Sequence, residues 1–180
     1  MRLFAALLAV VLIGVPAAAQ SDPAARFAAR PPAPFTVAPS SHPGNDRALV
    51  INSRSGKPTA ANADGTLCKA AFKAAPSNAK LSQQQINGMM STPEWRQNAR
   101  AALEQAFSVN SGAVFSQAGV SGLEFVGTPK IGPGAAKTRV YLSMAETPAG
   151  RTTLSCATLA SELETALPVF RAIRASLTMP

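Results

Sequence analysis

The sequence predicts an α+β fold: a single domain in which an antiparallel β-sheet is packed by helices and carries one disulfide, Cys68 to Cys156. Three observations support this. Six segments alternate with the period of two that strands require, and the last four are joined by connections too short for parallel crossovers. Three amphipathic segments open with helix-capping patterns. The chain holds two Cys, and both fall on inward-facing positions of predicted strands.

Residues 1–19 read as a secretory signal peptide. Arg2 supplies the positive start, Leu3 to Val15 an apolar run too short to span a bilayer, and Ala17-Ala18-Ala19 a small-residue cleavage site. No Cys lies near the end of that run, so lipid attachment is not expected, and no later stretch approaches the length of a membrane span. A soluble protein, periplasmic or secreted, is the expectation. Residues 20–46 contain six Pro and begin no strong periodicity, so they read as a Pro/Ala-rich tether. The α+β domain is assigned to residues 47–180.

Within the domain, Arg47 to Ser55 alternates with Leu49 and Ile51 on one face, and turn residues follow at Ser55-Gly56-Lys57-Pro58. Thr66, Cys68, Ala70 and Phe72 then point one way while Lys69 and Lys73 point the other. Ser82 and Gln85 have capping-box spacing, Leu81 can staple to Ile86, and Gly88 is expected to stop this helix after about one turn. A longer helix is expected from a second box at Ser91 and Glu94, with Pro93 in the first turn and Trp95, Ala99, Leu103 and Ala106 or Phe107 on its apolar face. Strands follow over Ala113 to Gln117, Val120 to Val126 and Thr138 to Glu146. Thr147-Pro148-Ala149-Gly150 is a hairpin signal, and Arg151 to Thr158 runs back with Leu154 and Cys156 on one face. A third capping box at Ser161 and Glu164 opens the closing helix, in which Leu163, Ala166, Phe170, Ile173 and Leu177 form a stripe and Arg171 and Arg174 stay outside. Pro168 places the regular part of that helix nearer Thr165.

The net charge of +8 becomes +7 once Arg2 leaves with the leader, and its 16 remaining bases are scattered without a run of five. Dispersed charge of this kind favours solubility and weak attraction to anionic surfaces. No aromatic interleaving accompanies it, so nucleic-acid binding is not expected. In an oxidising compartment two Cys far apart in sequence read as a structural bridge, because a redox pair sits two residues apart and one His cannot complete a zinc site with them.

No catalytic constellation emerges. His42, the single histidine, falls in the tether, which cannot fix its tautomer. Glu162 with Glu164 reads as helix capping, and Glu124 and Glu146 read as strand-face acids paired with an Arg such as Arg139 or Arg151. The Gly132-Pro133-Gly134 loop, flanked by Lys130 and Lys137, lacks the helix start of an anion cradle. Trp95 reads as a core anchor and as a possible contact for a ligand or partner. No cofactor and no metal ligands are expected.

The pair of strands ending at Phe72, the helical stretch from Ser82 to Trp95, the hairpin from Glu146 to Arg151 and the closing helix from Phe170 to Leu177 are together similar in layout to the PsbP-like superfamily, over about residues 35–180. That resemblance implies an exported or organelle-targeted domain that serves as an extrinsic subunit, assembly factor or binding module. The expected function is thus an exported soluble, non-enzymatic binding or accessory module of the bacterial cell envelope, docking an envelope protein or component. A small-ligand carrier with an apolar cavity beside the Trp95 helix is the alternative, and a hydrolase with a carboxylate site the remote one.

Overall fold

The alternation at Leu49 and Ile51, and at Cys68, Ala70 and Phe72, becomes two paired strands because each sends its apolar residues to one face of a shared sheet. The computed structural model describes residues 22–180; the signal-peptide reading of residues 1–19 lies outside them. In chain order the elements are α1 (Pro23–Arg26), β1 (Ala28–Ala29), β2 (Phe35–Ser40), β3 (Arg47–Ser53), β4 (Cys68–Ala74), α2 (Gln83–Met90) and α3 (Pro93–Leu103). There follow β5 (Phe107–Gln117), β6 (Val120–Pro129), β7 (Thr138–Glu146), β8 (Gly150–Leu159), α4 (Leu163–Ala175) and β9 (Leu177–Thr178).

Seven strands form one sheet in the order β2-β3-β4-β8-β7-β6-β5, and each neighbouring pair is antiparallel. The predicted α+β class is therefore observed. The sheet is two consecutive blocks, β2-β3-β4 and the β5-to-β8 meander, joined where β4 meets β8. At that seam Cys68 sits directly opposite Cys156, with Cα atoms 4.0 Å apart and a disulfide between them. The bridge thus fastens the one long-range pairing on which the sheet's continuity depends.

One face of the sheet is covered by α4 and the N-terminal segment. Ala166, Phe170 and Ile173 of α4 meet Tyr141, Leu154 and the disulfide, and Phe27 stacks on Phe72 with ring centroids 6.1 Å apart. The other face receives α2 and α3, whose Ile86, Met90 and Trp95 pack on Leu123 and Phe125.

Several sequence expectations change here. From Asp22 onward the stretch read as a tether is built into the domain: Phe27 is fully buried, β2 pairs along its whole length with β3, and β1 pairs with β9 near the chain's end. Proline content masked the apolar Phe35 and Val37, and Pro39 is tolerated because β2 is an edge strand. Gly88 does not stop α2, because Ile86 and Met90, four apart, are both buried against the sheet and that contact outweighs glycine's poor propensity. The cap of α3 is Thr92, not Ser91. Pro93 occupies the first helical position, so the Thr92 hydroxyl is the one that accepts from the Trp95 amide. Phe107 belongs to β5 rather than to this helix.

No capping box forms at Ser161. The helix opens from a 3-10 turn over Ala160–Glu162 and runs through Pro168, which lies on its exposed side, where the missing amide costs least. Leu177 is buried in β9 instead of ending the helix. The β7–β8 hairpin does form as expected. Its Gly150 has φ +155°, and a Cβ there would lie 2.2 Å from the Lys73 carbonyl oxygen.

Candidate functional site

On the face that carries α2 and α3, the helices lie over β5, β6 and the near side of β7, leaving β8 and β4 without an α-helix over them. Strand register lays nine side chains there as a regular grid. Leu142, Ser155 and Lys69 form one row; Met144, Thr153 and Ala71 the next; Glu146, Arg151 and Lys73 the third. Two neighbouring hollows open over adjoining rows of this grid. One of about 360 Å³ lies between Leu103, at the end of α3, and the His42 to Asn45 loop. The other, of about 420 Å³, lies over Lys73, Arg151 and Glu146 beside Met89 and Trp95. Together they make a trough with α3 as one wall: Trp95 and Leu103, two helical turns apart, stand at its two ends.

The trough is apolar along its middle row and charged at its ends. Lys69 pairs with Asp64 at 2.6 Å, and that hydrogen bond together with one from Thr66 holds the Asp64 carboxyl down at about 2. At the other end Arg151 bonds Glu146, whose second oxygen accepts from Asn78 at 2.9 Å. Lys73 is exposed and forms no ion pair among the described residues. His42 lies at the rim, bonded to Asn45 at 3.1 Å. Trp95 packs on the core cluster under α2, half-buried, and its indole N–H has no acceptor among the described residues. The hollow beside it is open to solvent and mixes Met89, Trp95, Ala74 and Ala75 with the charged Lys73, Glu146 and Arg151.

The two strand-face acids weighed as a hydrolytic pair are separated by the sheet itself. Glu124 stands opposite Ser143, three residues from Glu146, so the pleat sends the two carboxylates to opposite faces. Glu124 belongs to a saturated cluster beneath α4. Arg171 holds one oxygen through Nε at 3.0 Å and Nη2 at 2.6 Å; Arg174 and the Tyr141 hydroxyl donate to the other. Burial pushes the Glu124 carboxyl up, but the Arg171 and Tyr141 hydrogen bonds and the two arginine charges outweigh it, and the carboxyl stays below its ordinary value. Burial, and then the adjoining carboxylate, push the Tyr141 hydroxyl up against the opposing pull of Arg174. Arg174, expected outside, is 12% exposed and lies over the Phe115 ring at 3.9 Å. Its partners lie on strands remote in sequence, and helix periodicity carries no signal for them.

Among the described residues no group of three or more His, Cys, Asp or Glu gathers into a metal-binding cluster, and no helix is long and apolar enough to cross a membrane.

No protein-family description and no curated protein matches the chain. Solved structures do. The cyanobacterial PsbP protein, CyanoP, of Synechocystis sp. PCC 6803 is similar over 86% of this chain and 87% of that one, with a TM-score of 0.52 at 10% identity. LpqN of Mycobacterium tuberculosis, a protein involved in cell envelope biogenesis, is similar over 86% of this chain and 83% of its own, with a TM-score of 0.51 at 14% identity. The fold is PsbP-like, as the layout of the sequence implied.

Proposed function

We propose that this protein is an exported, non-enzymatic binding module of the bacterial cell envelope, and that the trough beside α3 docks a segment of a partner protein, with Trp95 among its contacts. The observation that carries the reading is the uncovered grid on β7, β8 and β4. Its middle row of Met144, Thr153 and Ala71 offers a flat apolar floor, while Lys73 and Lys69 stand at its ends. Small and half-buried side chains in register make a surface that a peptide or helix can lie along. Export is supported by the leader pattern of residues 1–19 and by the Cys68–Cys156 bridge, which persists in an oxidising compartment. An envelope role is in keeping with the fold shared with LpqN.

The test is a photo-activated cross-linker placed at Thr153 in the trough and, as control, at Arg54 on the exposed turn after β3, in protein expressed at native level. The expected result is a discrete adduct from Thr153, absent from Arg54 and lost when Ser155→Arg fills the floor. Equal labelling from both positions, or none from Thr153, overturns the docking reading. A tightly held small molecule seen on the intact protein by native mass spectrometry moves it to a carrier.

A further inference from the structure

The seven-stranded sheet is open, and its two edges differ. β2 is six residues long and carries Pro39. β5 is eleven residues long, Phe-Ser-Val-Asn-Ser-Gly-Ala-Val-Phe-Ser-Gln, with no proline and no charged residue. Proteins blunt exposed edges with prolines, charges, short length or bulges. The device visible in β5 is an irregularity of register between Val109 and Ser111. Beyond it Ser111 to Gln117 pair with Val126 to Val120 without interruption, so this stretch presents an unbroken outer edge. In an antiparallel ladder alternate residues turn their amide and carbonyl away from the partner strand. Among the described residues, no backbone hydrogen bond outside the β5–β6 ladder reaches this stretch.

A second observation lies directly above that edge. Gly112 leaves an opening of about 280 Å³ between β5 and α3, floored by Leu123 and Phe125 and rimmed by Arg96, Gln97 and Arg100. A Cβ at Gly112 would stand 2.7 Å from the Phe125 ring, so a side chain at this position would close the opening. Val114, next along the same face, is 46% exposed. Arg96 is exposed without an ion pair among the described residues, and Arg100 shares Glu104 across one helical turn. On the opposite face Arg171 is half exposed.

We propose that β5 accepts an extended, acidic and partly apolar segment of a partner protein as an eighth strand. The outward amides and carbonyls of Ser111 to Gln117 supply main-chain hydrogen bonds, the opening at Gly112 takes an apolar side chain, and Arg96 and Arg100 receive carboxylates. Charge decides between this occupant and a second copy of the chain, because pairing two β5 edges brings the arginine rims of two strongly basic molecules together. The site is distinct from the trough, since α3 stands between them.

The probe is a capped peptide of about ten residues in which valine and glutamate take turns on one strand face and serine fills the other, mixed with isotope-labelled full chain, with the lysine-for-glutamate peptide as control. Amide resonances of residues 111–117 are expected to shift, and their hydrogen exchange to slow by about tenfold or more on binding. Arg96→Glu combined with Arg100→Glu, both exposed on α3, weakens binding by about tenfold or more, as does N-methylation of alternate peptide amides, which leaves the protein untouched. Binding also weakens with added salt. No shift in residues 111–117, equal binding of the lysine peptide, or insensitivity to N-methylation overturns the proposal. So does a salt-resistant dimer in light scattering whose protected amides are those of β5.

Discussion

The two faces of this sheet are made by alternate residues of the same strands, yet one is closed and the other half open. Beneath α4 the inward residues of β4, β7 and β8 include Phe72, Tyr141, Leu154 and the two cysteines, all essentially fully buried. One step along each strand, the opposite face presents Lys69, Ala71, Thr153, Ser155 and Met144. Large apolar side chains need a helix to cover them, and α4 provides it. A floor of small and amphiphilic side chains has little apolar area to hide, so it is stable without a cover and free to receive one. Stability therefore belongs to one face, and the proposed docking to the other.

The largest test of that division is the bridge. Replacing Cys68 and Cys156 together with Ser, across a separation of 88 residues, is expected to lower stability by about 4–5 kcal/mol in the chain-entropy treatment, read from thermal melts with and without reductant. A melt that ignores both the substitution and the reductant removes the seam from the account. Core truncation comes next. Phe170→Ala on the closed face should cost about 3–5 kcal/mol, whereas Met144→Ala on the open face should cost about 1 kcal/mol, measured by denaturant titration. Equal losses would mean that the trough is ordinary core.

Glu124→Gln probes the ion cluster of the closed face and is expected to cost about 2 kcal/mol near neutral pH, a figure kept modest because Arg171 is half exposed. The Glu124 carboxyl is held below its unfolded value of 4.5, so its stabilisation is complete above that value and is lost as pH falls through the folded one. The gap between wild type and variant should accordingly narrow as pH drops from about 7 to about 3, and a gap that widens contradicts the assignment. Acid sensitivity persists in the variant because Asp64 and Glu162, held at about 2 by hydrogen bonds from Lys69 and Lys57 respectively, lose the same kind of stabilisation. The smallest effect belongs to the open face. Ser155→Arg should alter stability by no more than about 0.5 kcal/mol while abolishing the cross-link from Thr153.

What could be read from the chain before the structure followed the range of the interactions. The Ser82–Gln85 capping box, the Thr147 to Gly150 hairpin and the inward cysteines were legible because each rests on residues a few positions apart or on simple alternation. Phe27 and β2 were not, since proline content hid a segment whose order comes from partners elsewhere in the chain. Gly88 and Pro168 were misread for the same reason: the burial of Ile86, Met90, Phe170 and Ile173 decides where those helices run, and local propensity does not. The packing of Trp95 on the core follows from helix spacing, but the residues around it, Lys73, Glu146 and Arg151, come from three other strand ends.

By itself the amino-acid order determined the alternation of β3 to β8, the existence of amphipathic helices between and after them, and the two sulfur-bearing positions facing inward, because hydrophobic periodicity acts over one or two turns of chain. Only tertiary structure decided that β4 lies beside β8, that Glu124 meets Arg171 and Arg174, and that α3 stops short of covering the grid on β7, β8 and β4. Those outcomes are set by how whole elements share a sheet and by which side chains are large enough to demand burial, and no local stretch of sequence carries that information.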